Sequence, residues 1–113
     1  MSKNVVVVIQ EDPRKTHRPV EALRIALGLV AGSHRTTVVL LGESVRLLHE
    51  DVDDITDVEI LEKYLPSIEQ LEIPFVLQSK IDRAPLRKKF HIEYSSDEGI
   101  RNLIASADRT LVF

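Results

Sequence analysis

Val5-Val6-Val7-Val8-Ile9 is a run of β-branched side chains with no polar residue among them. A strand with one face in water alternates apolar and polar residues. A run without alternation fits a strand covered on both faces, as in a parallel sheet enclosed by helices. The pattern returns at Thr36-Thr37-Val38-Val39-Leu40-Leu41 and at Ile73-Pro74-Phe75-Val76-Leu77. Ile92-Glu93-Tyr94 is short and polar enough for a fourth strand near an edge, and Thr110-Leu111-Val112-Phe113 supplies a fifth.

The intervals carry helical signals. Pro19 suits a first helical position, and Val20, Leu23, Leu27 and Val30 follow on one face, widened by Ile25 and Leu29, with Gly32 as the stop. A short helix fits Glu43 to His49. Thr56 and Glu59 have capping-box spacing, with Asp57 as the alternative cap. Pro66 removes an internal hydrogen bond, so the pattern predicts a break there and a second helix from Pro66 to about Leu71. Pro85 limits any helix that begins near Lys80. Ser95 and Glu98 are a further capping pair ahead of Ile100, Leu103, Ile104 and Ala107. Strands alternating with helices, buried on both faces, predict a three-layer α/β/α sandwich with a five-stranded, mainly parallel sheet and right-handed crossovers, in a single domain spanning 1–113. The acidic stretch from Glu50 to Asp57 reads as a loose connection.

Composition closes several routes to function. The 113 residues contain no cysteine, which excludes disulfides, thiolate zinc sites and sulfur nucleophiles in this chain. No apolar run approaches the roughly 20 residues that cross a bilayer, and Met1-Ser2-Lys3-Asn4 leads straight into a strand, so a cytoplasmic, non-membrane protein is expected. Net charge is −3 and aromatics are 4%, a poor basis for nucleic-acid binding. The charge is polarised. Seven acids (Glu50, Asp51, Asp53, Asp54, Asp57, Glu59, Glu62) lie between Glu50 and Glu62 without a lysine or arginine, whereas Lys80, Arg83, Arg87, Lys88 and Lys89 are opposed only by Asp82. Beyond solvation, such segments suit complementary subunit contacts or an anion site formed by the basic sets, which include Arg14, Lys15 and Arg18 after the first strand.

In parallel sheets, ligands sit beyond the carboxyl ends of the strands. Those ends are Gln10-Glu11-Asp12, Gly42-Glu43-Ser44, Gln78-Ser79-Lys80 and Ser95-Ser96-Asp97. Glu11-Asp12 resembles the acidic pair that holds magnesium in phosphoacceptor domains. The middle strand ends provide no aspartate and the last strand no lysine, so Asp12-Pro13 reads as a turn and no metal site is assigned. The loop from Gln10 to Arg18 has no glycine, and nothing there cradles a cofactor phosphate, so no cofactor is expected. Ser79 lacks a G-x-S-x-G elbow and reads as a cap for the chain that follows. The histidines His17, His34, His49 and His91 show no metal-ligand spacing. Arg14, His17 and Arg18 in the first loop form the candidate anion site.

Three segments together resemble the DsrE/DsrF/DsrH-like proteins of sulfur relay, which include TusB, TusC and TusD. They are Val5–Ile9 with Glu11-Asp12-Pro13 and the helix Pro19–Leu27; Val38–Leu41 with Gly42-Glu43-Ser44-Val45; and Ile100–Phe113, with its Ala107-Asp108-Arg109 turn into the last strand. The resemblance implies a three-layer α/β sandwich that assembles as a trimer or hexamer, with itself or with paralogues. It also implies a persulfide-carrying cysteine in the loop after the third strand. That loop is Gln78-Ser79-Lys80 here, a vestigial active-site loop, because a serine oxygen cannot carry a persulfide. The implied function is a non-catalytic subunit, structural or regulatory, that partners itself or a cysteine-bearing paralogue. The alternative is a small-molecule or anion-binding module at the strand ends, using Arg14, His17, Arg18, Ser79 and Lys80.

Overall fold

The computed structural model describes residues 2–50, 54–79 and 85–113. Among these, five strands form one sheet: β1 (Asn4–Ile9), β2 (Arg35–Leu40), β3 (Phe75–Gln78), β4 (Ile92–Ser95) and β5 (Arg109–Val112). Their spatial order is β4-β3-β2-β1-β5, and every pairing is parallel. Between them run α1 (Arg18–Ala31), a 3-10 helix (Gly42–Leu48), α2 (Val58–Gln70) and α3 (Asp97–Ser106). The expected three-layer α/β/α sandwich is present. No helix among the described residues is long and apolar enough to cross a membrane.

The handedness of the crossovers decides which helix covers which face. From β1 to β4 the chain steps across the sheet in one direction, so right-handed connections place α1 and α2 on the same face. After β4 the chain returns past three strands to pair β5 with β1, which puts α3 on the opposite face. The core divides accordingly. Val5, Val7, Ile9, Val38, Leu40, Phe75 and Leu77 pack under α1, the 3-10 helix and α2. Val6, Val8, Val39 and Val76 turn the other way and meet Ile100 of α3. The unalternating valine run of β1 thus serves two cores, one on each side.

Three local expectations change. Pro66 does not break its helix: α2 continues from Val58 to Gln70. Leu61, Leu65 and Ile68 form one buried stripe on both sides of the proline, and that packing outweighs the lost hydrogen bond to the Glu62 carbonyl. The α2 capping box is absent, since the Thr56 hydroxyl donates to the Arg14 carbonyl and Asp57 makes no side-chain cap. The cap of α3 is Ser96, whose Oγ accepts from the Gly99 N–H at 3.1 Å. Ser95 cannot take that role because it is the last residue of β4, paired with Gln78.

The acidic stretch is tied down over its described end: Ile55 is buried and the Thr56 N–H donates to the Pro13 carbonyl. The expected helix limit near Lys80 lies outside the described residues.

Candidate functional site

Four strand ends and the close of β5 meet along the carboxyl edge of the sheet. At β1, the Gln10 and Glu11 N–H groups both donate to the Phe113 carbonyl, at 2.8 and 3.3 Å. The chain then turns at Asp12-Pro13, closed by the Lys15 N–H donating to the Asp12 carbonyl at 3.0 Å, the turn that Pro13 predicts. Asp12 is fully engaged by Arg14. Its Oδ1 accepts from the Arg14 N–H at 2.9 Å and from Nε at 3.1 Å, and its Oδ2 accepts from Nη2 at 2.8 Å. These bonds hold the Asp12 carboxyl down at about 2 and push the Arg14 guanidinium up. Arg14 Nη2 also lies 3.6 Å from Glu43, which in turn accepts from Arg46 at 2.8 Å.

The middle of the edge is organised by Gln78. The resemblance places this residue in a loop, yet it is the last residue of β3. Its Oε1 accepts from the Gly42 N–H at 3.0 Å, and its Nε2 donates to Asp97 Oδ1 at 3.3 Å. Gly42 has φ of +55°, a left-handed conformation that glycine adopts without strain, and this aims its N–H at the carboxamide. Gln78 therefore ties the end of β2 to the start of α3. Ser79 follows as an exposed turn residue whose N–H donates to the Ser95 carbonyl at 3.0 Å. Among the described residues, no histidine or carboxylate hydrogen-bonds its hydroxyl. Lys80 lies outside the described residues.

Gln78, Ser79, Ser96 and Asp97 line a cleft of about 290 Å³. It offers a carboxamide, two hydroxyls and a carboxylate, which is hydrogen-bonding chemistry without an activated nucleophile. The positive end of α3 opens beside it but is already met by Asp97 and Glu98 in the first turn.

The three candidate anion ligands do not converge. Arg14 faces Asp12 and Glu43, whereas the Arg18 guanidinium sits 5.8 Å from the ring centroid of Phe113. His17 is exposed and precedes α1, contributing its carbonyl to the Glu21 N–H. No hydrogen bond or ion pair joins the three among the described residues.

Two contacts here were beyond sequence reasoning. The Ser44 hydroxyl, fully buried, lies 2.8 Å from both the Ile9 and Leu41 carbonyls and shares its one proton between two strand ends. The oppositely charged segments meet within the chain: Arg87 Nη2 is 2.6 Å from Glu62, across a groove of about 400 Å³ floored by Leu65, Pro66 and Phe90. Beside it the Glu50 N–H donates to the Pro85 carbonyl at 3.0 Å and joins the same two segments.

No protein-family model and no curated protein matches this chain. Among solved structures, the crystal structure of the YchN protein from E. coli is similar over 100% of both chains, with a TM-score of 0.77 and 20% sequence identity. At that identity the likeness shows a shared fold, the DsrE-like α/β fold, and the fold alone.

Proposed function

We propose that this chain is a non-catalytic DsrE-like subunit, structural or regulatory, that serves cytoplasmic sulfur trafficking through oligomer assembly. It associates with itself, as a trimer or hexamer, or with a cysteine-bearing paralogue. The observation that carries this reading is the end of β3. Gln78 is engaged as a bracket between Gly42 and Asp97, its neighbour is a serine, and the chain has no cysteine. Persulfide transfer needs a sulfur that can be attacked and released, and a hydroxyl supplies neither step. What the fold retains at this edge is a braced scaffold. The anion-binding alternative is not favoured, because the charge of Arg14 is already met by Asp12 and Glu43.

Two measurements test the proposal together. Light scattering across micromolar concentrations should return a multiple of the chain mass; a monomer throughout overturns assembly with itself. Mass spectrometry after incubation with a persulfide donor should show the unmodified chain. A stable gain of one sulfur atom would overturn the non-catalytic role.

A further inference from the structure

The two edges of the sheet differ. At β4 the edge carries exposed Glu93, the kind of charged side chain that discourages strand pairing, beside the exposed Tyr94 ring. At β5 the strand Arg109-Thr110-Leu111-Val112 carries one charge, the exposed Arg109 at its first residue, and among the described residues nothing pairs with its outer side. Leu111 and Val112 are 36% and 52% exposed. They are consecutive, so they point to opposite faces of the sheet. A partner lying on either face would cover only one of them; a partner at the edge itself covers both.

Further apolar groups flank that edge. Phe113 is half-buried on the α1 side, under Arg18. Ile25 and Leu29, half-buried, follow Arg18 on the same side of α1 by helical spacing.

We propose that the β5 edge pairs with the β5 edge of a second copy of this chain, antiparallel about a two-fold axis at Leu111, joining the two sheets into one. This rests on the assembly reading above and names the surface it uses. The register follows from the ladder. The Phe113 N–H donates to the Val8 carbonyl and its carbonyl accepts from the Gln10 N–H, both at 2.8 Å, so residue 113 turns both groups toward β1. Along a parallel strand the direction alternates, and Thr110 and Val112 turn theirs outward. Only an axis at Leu111 uses both: Thr110 bonds the partner's Val112, and Val112 bonds the partner's Thr110. The same register sets Arg109 opposite the partner's Phe113 rather than opposite a second arginine. That repeats between copies the cation–aromatic contact that Arg18 makes within one. The pairing is self-complementary, as a two-fold interface requires. A two-fold contact belongs to a dimer or to a hexamer, not to a lone trimer.

The absence of cysteine makes the test direct. Residues facing each other at the centre of such a pair have Cβ atoms about 4.5–5.5 Å apart, within a small adjustment of disulfide reach. Leu111→Cys should therefore form a covalent dimer under mild oxidation at micromolar concentration. Glu93→Cys, at the opposite edge, should remain monomeric on the same non-reducing gel. Val112→Lys should halve the mass seen by light scattering. Cross-linking of Leu111→Cys no faster than of Glu93→Cys overturns the proposal. If the wild type is then still an oligomer, the assembly reading stands on another surface. A monomeric wild type overturns both this interface and assembly of the chain with itself.

Discussion

Asp12 carries the most strongly shifted carboxyl group described in the chain, and its cause is a single neighbour. Three hydrogen bonds from Arg14 favour the ionised form, so the folded value of about 2 lies below the roughly 3.9 of an unfolded aspartate. A depressed folded value stabilises the fold in full above the unfolded value, and that contribution disappears as pH falls from about 4 to about 2. Because Arg14 is exposed, solvent screens the pair and only a small part of the shift is realised as stability. Urea midpoints measured from pH 6 to pH 2 should fall more for the wild type than for Asp12→Asn, the two curves converging near pH 2. Parallel curves would show that the pair adds nothing to stability. The Asp12-Pro13 turn was legible because turn chemistry is local. The role of Gln78 was not: its partners Gly42 and Asp97 are 36 and 19 residues away, and no nearby residue signals them.

The helices divide along the same line between local and distant causes. Pro19 at the start of α1 and its buried face of Val20, Leu23 and Ala26 follow from spacing alone. The cap of α3 was displaced by one residue, because pairing with Gln78 claims Ser95 for β4. Pro66 was misjudged for a related reason, since the stripe of Leu61, Leu65 and Ile68 draws its stability from α1 and the sheet rather than from α2 itself. The Ser96 assignment is testable. Ser96→Ala removes the acceptor for the Gly99 N–H and should cost about 1 kcal/mol. Ser95→Ala loses only a 3.3 Å bond from its hydroxyl to the Ser96 carbonyl and should cost clearly less. Chemical denaturation of the two variants decides it, and equal losses would place the cap elsewhere.

Across the whole molecule, the set of strands was readable and their order was not, because parallel pairing joins segments far apart in sequence. Val5 lies beside Thr36 on one side and Arg109 on the other, and no local pattern encodes that choice. The order has an energetic consequence. Among the described residues, one face of the sheet is covered by α1, the 3-10 helix and α2, and the other by α3. α1 buries Pro19, Val20, Ala22, Leu23 and Ala26, whereas Ile100 is the one residue of α3 counted as buried. Regions with few buried apolar contacts open at lower free energy than the global unfolding reaction. Native-state hydrogen exchange should therefore show Leu103 and Ile104 of α3 exchanging through a partial opening, with protection about tenfold or more below that of Val7 and Val38 at the centre of the sheet. Low denaturant should leave the α3 amides nearly unaffected, since a local opening exposes little new surface, while the central strand amides follow global unfolding. Equal protection and equal denaturant dependence would mean that both faces unfold as one unit. The single helix on the thinner face would then be held by something stronger than the packing of Ile100.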